Sequence, residues 1–284
     1  MRLARLAAGL LLPFVLAAPA SAEGVFCSPI SAVPVVITAQ GRYCVIAPLV
    51  YDGGGGVAIF VQSDYVTIDL GGFTLDGSGY GPATTATGIY AFKRRNVVVR
   101  GGRVRGFMYG IRLDDDAVTG YTSGGGHQVE NVQVDACTVR PILVQGRGNR
   151  VRGNLVTRSG ASTFYDSVSV AAIDARGPGA RIIGNSIVET RGVGTGTGWG
   201  IWILGADAIV ESNRIANGNV GTGSPVGILV RPGSQARVVG DRITNFARGV
   251  VFEPGAQGLA RDNATTGCTT AYELNGAQDG GRNN

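Results

Sequence analysis

Apolar and small polar residues recur along this chain in a unit that appears eight times. An apolar residue is followed three positions later by Asn, Gly, Asp or Cys, and five positions later by a third position that is apolar in all units but the last. The first positions are Ile68, Val99, Val134, Val151, Ile182, Val210, Val238 and Ala260. The second are Gly71, Gly102, Cys137, Asn154, Asn185, Asn213, Asp241 and Asn263, and the third are Phe73, Val104, Val139, Val156, Ile187, Ile215, Ile243 and Thr265. Such a pattern at variable spacing indicates a stacked repeat architecture.

Each unit also contains a second short apolar segment that starts with a small residue, as in Gly88-Ile89 and Gly200-Ile201. These segments are too short for helices and alternate with period two, which predicts strands. A strand, a bend, a second strand and a loop, repeated in parallel, make a β-solenoid. The Asn and Gly column fits the bend because both residues tolerate left-handed backbone. Stacked Asn side chains can also hydrogen-bond along the stack.

The distance between the two segments of a unit varies, and the longest distances predict four loops at the same corner. These loops are 76–87, 157–170, 188–199 and 216–226. Insertions at one corner of a solenoid project from one face, which is often the binding face. A further insertion, from Asp114 to Glu130, is expected at a different corner.

Three segments resemble the repeats of the right-handed parallel β-helix, or pectin-lyase-like, superfamily: Asp64 to Gly77, Asn96 to Gly106, and Arg181 to Ile187. The resemblance extends from about Ile37 to Leu274. It implies an all-β fold, a single-stranded parallel β-helix of about eight coils with an N-terminal cap. The superfamily includes lyases, hydrolases, epimerases and non-enzymatic binders, so the fold alone does not fix the function.

The two ends of the chain are expected to lie outside the β-helix. Arg2 and Arg5, the apolar run from Leu6 to Ala18 and the small residues Ala20-Ser21-Ala22 are typical of a secretory signal. We therefore expect a secreted or periplasmic protein, and no later run is long enough to span a bilayer. The expected divisions are a signal peptide at 1–22, a cap and first strands at 23–63, the β-helix at 64–274 and a disordered tail at 275–284.

Four cysteines in an exported protein suggest disulfide formation. Cys27 and Cys44 both precede the first unit and can form a disulfide in the cap. Cys137 and Cys268 belong to the third and eighth units, which would lie roughly 24 Å apart at the usual strand spacing. A disulfide needs Cα atoms within about 7 Å, so these two thiols are expected to be free and mostly buried.

The charge balance argues against nucleic acid as a partner. The chain has 25 Lys and Arg against 20 Asp and Glu, and removal of Arg2 and Arg5 leaves 23 against 20, a net charge of +3. This bias is too mild for a nucleic-acid binder. Separately, we expect the protein to be a monomer. Lys93 is the only lysine. Arginine suits bidentate capture of carboxylate or sulfate, although the codon bias of a GC-rich genome is the simpler explanation of the preference.

The Asp114–Glu130 insertion carries the densest chemistry. It follows Arg112 and contains Asp114, Asp115, Asp116 and the only histidine, His127. The three carboxylates could bind Ca²⁺, or one of them could act as an acid with a raised pKa. The resemblance implies acidic polysaccharides bridged by calcium, or a base that removes a proton beside a uronate. A solvated acidic loop and a structural His are the alternatives.

A second candidate group lies on the side of the long loops. It comprises Tyr165, Asp166, Glu189, Arg191, Trp199 and Trp202. If Ile201 and Ile203 point inward, alternation places Trp202 outward, together with Tyr90 and Arg112. An exposed aromatic ring beside charged groups suits a sugar, so we expect these residues, Tyr90 included, to hold substrate. The alternative is that the two tryptophans only cover the loops above them.

Two functions remain open. The motifs Gly-His-Gly, Arg-Ile-Lys and Asp-Pro-His-Asp, which mark enzymatic relatives, are all missing. One hypothesis is a lyase or hydrolase of an acidic glycan, with Asp114, Asp116, His127 and Arg112 as catalytic residues. The other is a non-catalytic envelope protein that binds glycans, matrix or another surface.

Overall fold

The computed structural model describes residues 27–117, 120–218 and 223–284. The expected signal peptide lies outside the described residues. The described strands of the first half are β1 (Ser28–Ile30), β2 (Val35–Ile37), β3 (Gly41–Val45), β4 (Leu49–Val50), β5 (Val57–Val61), β6 (Val66–Asp69), β7 (Thr74–Asp76), β8 (Thr87–Phe92), β9 (Val98–Arg105), β10 (Tyr109–Asp114), β11 (Gln128–Asp135), β12 (Arg140–Gln145), β13 (Arg150–Arg152) and β14 (Leu155–Ser159). A 3-10 helix spans Ser78–Ala83.

The second half continues in the same way. Its strands are β15 (Val170–Arg176), β16 (Arg181–Ile183), β17 (Ser186–Thr190), β18 (Gly198–Leu204), β19 (Ala208–Glu211), β20 (Arg214–Ala216), β21 (Val226–Val230), β22 (Gln235–Val239), β23 (Arg242–Thr244), β24 (Arg248–Phe252), β25 (Gln257–Arg261), β26 (Ala264–Thr266), β27 (Thr270–Glu273) and β28 (Gln278–Asp279). None of the helices in this described part of the chain is long and apolar enough to cross a bilayer.

The strands form two sheets in which sequential turns of the chain pair in parallel. One sheet has ten strands, in the order β2-β5-β8-β10-β12-β15-β18-β21-β24-β27, and the other has eighteen. A typical turn places β13 and β14 in the eighteen-stranded sheet and β15 in the ten-stranded sheet. The predicted parallel β-helix is therefore confirmed. Strands β1 to β5 also join the two sheets, so parallel pairing begins before residue 64.

The repeat aligns with the observed register in most units but was misplaced in two. Val99 pairs with Val129, not with Val134, and Val104 pairs with Val134. The third unit is thus Val129, Val132 and Val134, a register hidden because apolar Val132 occupies the column of Asn and Gly. In the first unit Leu75, rather than Phe73, pairs with Val104, since Gly71 and Gly72 widen the bend.

An asparagine ladder runs along one bend of the solenoid, as predicted. The Oδ1 atom of Asn185 accepts hydrogen bonds from the backbone N–H and the side-chain amide of Asn154, both at 3.0 Å. The same two bonds recur at Asn213, Asp241 and Asn283, whereas Asn263 Oδ1 accepts only the backbone N–H of Asp241, which has no side-chain amide. The left-handed backbone lies one residue earlier than expected, at Gly153, Gly184, Ser212, Gly240 and Asp262. The ladder residues therefore supply hydrogen bonds, and their predecessors make the bend.

The C-terminal segment and the cysteines complete the stack. Residues 275–284 were expected to be disordered, but β28 pairs with β25 and Asn283 extends the ladder. Pairing to a preformed sheet edge orders this segment. A disulfide joins Cys27 to Cys44. Cys137 is buried and free, and Cys268 is half-buried and free; burial raises the pKa of the Cys137 thiol to about 12.

Candidate functional site

The outer surface of the ten-stranded sheet carries aromatic, charged and some buried aliphatic residues. We call this surface the outer face. Its central column in register is Phe60, Tyr90, Arg112, Leu143, Asp174, Trp202, Leu229, Val251 and Glu273. The inward residues beside it, such as Ile111 and Ile201, are fully buried. Strand alternation therefore places Tyr90, Arg112 and Trp202 outward, as the sequence predicts.

In the N-terminal part of the outer face, Arg112 lies between two tyrosine rings and a carboxylate. The Nε atom of Arg112 donates to Asp114 Oδ2 at 2.6 Å. Its guanidinium carbon lies 4.6 Å from the ring centre of Tyr109 and 5.2 Å from that of Tyr90. Tyr90 stacks on Phe60 at 5.4 Å. Arg112 is thus held in a fixed orientation by a charge-assisted hydrogen bond and two cation–π contacts.

Burial changes the acidity of this group. Burial raises the pKa of Asp114, and Arg112 opposes that shift. The pKa of Tyr90 is also raised, first by burial and then by the nearby charge of Asp114. Asp114 Oδ1 is buried and has no hydrogen-bond partner. Asp114 is therefore a carboxyl with altered acidity, but its other oxygen is already occupied by Arg112.

The middle of the outer face is organised by a buried carboxylate. Asp174 is 0% exposed. It accepts two hydrogen bonds from Arg176, at 2.9 and 2.8 Å, and one from Arg140 at 2.9 Å. Burial acts to lower the pKa of Arg176, but the bonds to Asp174 raise it overall. This three-residue ion pair fixes two guanidiniums beside the tryptophans.

The two tryptophans of the chain stack on each other. The ring centres of Trp199 and Trp202 are 6.1 Å apart and their planes differ by 25°. The guanidinium of Arg176 lies 4.6 Å from the Trp202 ring centre, and that of Arg140 lies 5.9 Å from Trp199. Both rings also pack on a small apolar cluster outside the solenoid core, formed by Val226, Leu229 and Val251. They therefore cover neighbouring side chains and also keep partly exposed surface.

The remaining charges of this face are paired as well. Arg231 contacts Glu253 at 2.7 Å and Arg248 contacts Glu273 at 3.3 Å. Every arginine so far described on the outer face thus has an acidic partner on the same face. The surface combines aromatic rings with balanced charges, which is an arrangement suited to the apolar faces and polar edges of sugars.

The three consecutive aspartates, which the sequence suggests as possible calcium ligands, have separate surroundings in the structure. Asp114 is engaged by Arg112, and Asp116 contacts Lys93 Nζ at 2.8 Å. Asp115 is buried, and neither of its carboxylate oxygens has a hydrogen-bond partner. Within residues 27–117, 120–218 and 223–284, no three His, Cys, Asp or Glu side chains are grouped so that they could hold a metal ion. The side chains turn to different partners because consecutive residues of a strand end point in different directions.

His127 is part of the interior, so the structure does not support its role as a base. Its side chain is 0% exposed, and Nδ1 accepts the backbone N–H of Val97 at 3.3 Å. Its own backbone N–H donates to Asn149 Oδ1 at 2.9 Å. His127 thus occupies a second, shorter ladder together with Asn149. Burial lowers the pKa of His127 to about 4.

The long loops pack against one another beside the outer face. The backbones of Val168 and Val193 exchange two hydrogen bonds, of 3.1 and 2.9 Å, and Ser167 Oγ lies 2.8 Å from Thr195 Oγ1. The loops 157–170 and 188–199 therefore form one joined surface. A cavity of about 290 Å³ opens at the same corner, between residues 78–82 and 158–161.

The loop residues of the predicted group are more dispersed than expected. Tyr165 is 37% exposed and packs edge-on against Phe164, and Asp166 is exposed. Glu189 and Arg191 lie at the end of β17 and just after it, where Glu189 helps to raise the pKa of Arg158. Among the described residues, no hydrogen bond, ion pair or ring contact links these four to Trp199 or Trp202.

Sequence reasoning missed Arg140, Asp174 and Arg176. The signal was present in the register, since Asp174 occupies in the fourth unit the position that Arg112 and Trp202 occupy in theirs. The second segment of the fourth unit has Ala171-Ala172 where most units have Gly, which obscured the alignment. The matching outward positions predicted for Arg112 and Trp202 are observed, and Asp114 follows Arg112 on the same strand. That strand, β10, lies in the same sheet as Trp202.

No protein-family model matches the chain, and no curated protein sequence does. Among solved structures, the A-module of Azotobacter vinelandii mannuronan C-5 epimerase AlgE6 has 11% identity over 90% of this chain and 88% of its own, with a TM-score of 0.47. The A-module of AlgE4 from the same organism has 11% identity over 89% and 90%, with a TM-score of 0.37. The Dettilon tailspike protein has 14% identity over 88% of this chain, which spans 58% of the tailspike, with a TM-score of 0.48. The paired strands of its own two sheets identify this chain as a parallel β-helix, the architecture that its repeats predict.

Proposed function

We propose that this protein binds a polysaccharide on its outer face and does not cleave it. The observation that carries the proposal is the stacked pair Trp199 and Trp202, held beside Arg140, Asp174 and Arg176 on a continuous sheet. Rings fixed in this way lose little conformational entropy when a ligand binds. A sugar on the outer face would meet the partly exposed rings of Trp199 and Trp202 and the guanidinium of Arg176 beside them.

Binding is favoured over catalysis by the state of the candidate catalytic groups. His127 is buried, Asp114 is bound by Arg112, and Asp116 is paired with Lys93. A general acid or base must be within hydrogen-bond reach of substrate, and His127 is not. The lyase- or hydrolase-type reaction expected from the sequence therefore stays a prediction for the experiment below. We also propose that the protein acts outside the cytoplasm as a monomer, without nucleic acid; a disulfide between Cys27 and Cys44 supports an oxidising compartment.

Replacing Trp202 by Ala is expected to weaken polysaccharide binding. Truncation of a central aromatic anchor costs about 2 kcal/mol or more in binding free energy, which is about thirtyfold in affinity. A panel of neutral and uronic-acid polysaccharides, examined by affinity electrophoresis, identifies the ligand. The same mixtures are assayed for unsaturated sugar by absorbance and for new reducing ends.

A matched control removes an aromatic residue far from the tryptophans. Tyr65 is 60% exposed and has φ of 55°, a left-handed conformation that Asn tolerates. Tyr65→Asn should retain the wild-type affinity. Equal binding by wild type and Trp202→Ala would refute the proposed site. Unsaturated sugar or new reducing ends would refute the non-catalytic assignment and restore the enzyme hypothesis.

A further inference from the structure

A second, chemically different groove lies on the eighteen-stranded sheet. Its volume is about 680 Å³, and its lining residues come from β16, β19, β22, β25 and β28 or from the turns that precede these strands. The strands place five outward side chains in register along its floor. In order along the stack these are Arg181, Ile209, Arg237, Leu259 and Gln278. Over the first four of these turns a guanidinium therefore alternates with an apolar side chain, and Gln278 occupies the fifth position.

The positive charges of this groove have no acidic partners. Arg181 and Arg237 are exposed, and Arg150, which pairs in register with Arg181, is exposed as well. Among the residues that the structure describes, none of these three guanidiniums has an ion pair. Like charges placed directly opposite each other in a sheet are destabilising. The sheet therefore holds uncompensated positive charge here, in contrast to the outer face, where Arg112, Arg140, Arg176, Arg231 and Arg248 are all paired.

The other groups around the groove are mostly neutral hydrogen-bonding side chains. Gln235 and Gln257 line it together with Gln278, and Asp207 is the acidic residue in its lining. Three arginines against one aspartate leave a net positive charge in and beside the groove. Arg181 and Arg237 are two turns apart, which at the usual strand spacing is about 10 Å.

We propose that this groove binds a linear acidic polysaccharide that lies along the stack. Carboxylate or sulfate groups would contact Arg181 and Arg237, while apolar faces of the sugar rings would lie over Ile209 and Leu259. Arginine, rather than lysine, suits this ligand because its planar fork can donate two parallel hydrogen bonds to one acid group. The groove is a site distinct from the outer face. Because its arginines are unpaired, it recognises its ligand mainly by charge.

The test compares two double variants with the same change in net charge. Arg181→Gln/Arg237→Gln removes the charges in the groove. Arg214→Gln/Arg242→Gln removes two exposed, adjacent arginines from β20 and β23, which do not line the groove. Polygalacturonate, dextran sulfate and neutral dextran serve as probes in isothermal titration calorimetry. Because all four side chains are exposed, thermal melting should show both variants folded.

The groove variant is expected to lose at least about tenfold in affinity for the acidic probes, since hydrogen bonds to charged groups are the stronger class. The control variant should stay within about twofold of wild type, because its two arginines do not line the groove and salt weakens interactions between exposed charges. Trp202→Ala should retain the groove-dependent binding, which separates failure of this inference from failure of the outer-face proposal. Equal losses in both double variants, or no binding of either acidic probe by wild type, would overturn the inference. Duplex DNA is titrated as a further probe, and tighter groove-dependent binding of DNA than of polygalacturonate and dextran sulfate would also overturn the inference.

Discussion

Replacing Asp241 by Asn is expected to stabilise the protein at alkaline pH. Asp241 occupies a position that Asn holds in the neighbouring turns of the ladder, and its Oδ1 accepts two hydrogen bonds from Asn213. In those turns the side-chain amide donates to the next Oδ1 and to a backbone carbonyl of the preceding turn. By the same register the second oxygen of Asp241 faces two acceptors, Asn263 Oδ1 and the carbonyl of Val210. That oxygen is buried and has no partner.

The carboxyl of Asp241 is therefore expected to be protonated in the folded state up to near-neutral pH. Burial, with a smaller contribution from Glu211, raises its pKa from 3.8 to about 7. Between these two values the unfolded chain is ionised while the folded chain keeps its proton, so stability falls as pH rises. A shift of this size corresponds to about 4 kcal/mol of folding free energy, lost in full above pH 7. The neutral amide of the Asp241→Asn variant would carry no such penalty.

His127 contributes in the opposite direction over much of the same range. Its pKa falls from 6.5 to about 4 on folding. Between these values the unfolded chain binds the extra proton, so stability rises with pH by about 3 kcal/mol in total. The contributions of Asp241 and His127 to the pH dependence of stability therefore offset each other between about pH 4 and pH 6.5. In the wild-type protein neither contribution is visible in the total unfolding free energy over this range.

Urea denaturation at a series of pH values separates the two contributions. The difference in unfolding free energy between Asp241→Asn and wild type should be small near pH 4 and grow to about 4 kcal/mol at pH 8. His127→Asn should show the opposite change in slope, whatever constant loss its smaller side chain causes. A pH-independent difference for Asp241→Asn would contradict the ladder geometry. Asp207→Asn, at an exposed position, is the control and should have no effect of this size.

Replacing Asp174 by Ala is expected to destabilise the protein by about 3–5 kcal/mol, the usual cost of leaving buried charge unpaired. The side chains of Arg140 and Arg176 are only 14% and 26% exposed, and both depend on this one carboxylate. Its removal leaves two largely desolvated guanidiniums without their ion-pair partner. Asp174→Asn should lie between Ala and wild type because it keeps an oxygen acceptor but loses the charge.

The measurement is the urea midpoint of each variant at constant pH. Glu253→Ala provides the control, because its partner Arg231 and its own carboxylate are both partly exposed, and exposed pairs contribute about 1 kcal/mol at most. An Asp174→Ala protein as stable as Glu253→Ala would show that the buried ion pair does not organise the outer face.

The fold could be predicted from the sequence because each turn needs apolar core residues and a ladder residue at fixed positions, and the repeat shows these positions. In one such turn the side chains of Ile182 and Ile187 pack in the core, and Asn185 lies between them in the ladder. Any turn with this pattern can therefore be aligned from its sequence. The third turn could not be aligned because Val132 occupies the ladder position and takes part in the ladder only through its backbone N–H, which donates to Asn154 Oδ1. That contact needs no particular side chain at position 132, and so it leaves no trace in the sequence.

The candidate site was less predictable because its contacts join residues far apart along the chain. Alternation was enough to place Trp202 and Arg112 outward. It could not show that Arg140 reaches Asp174 across 34 residues. Nor could it show that His127 points into the core, since the Asp114–Glu130 insertion lacks the repeat that identifies inward positions.

Tryptophan fluorescence tests the central claim most directly, because Trp199 and Trp202 are the only tryptophans of the chain and both lie on the outer face. The protein is titrated with the polysaccharide that affinity electrophoresis identifies, and the emission is followed to saturation. We predict a saturable change that is retained in Arg181→Gln/Arg237→Gln and whose midpoint equals the binding constant measured by calorimetry. Saturating binding by calorimetry with no change in tryptophan emission would contradict the outer face as the polysaccharide site.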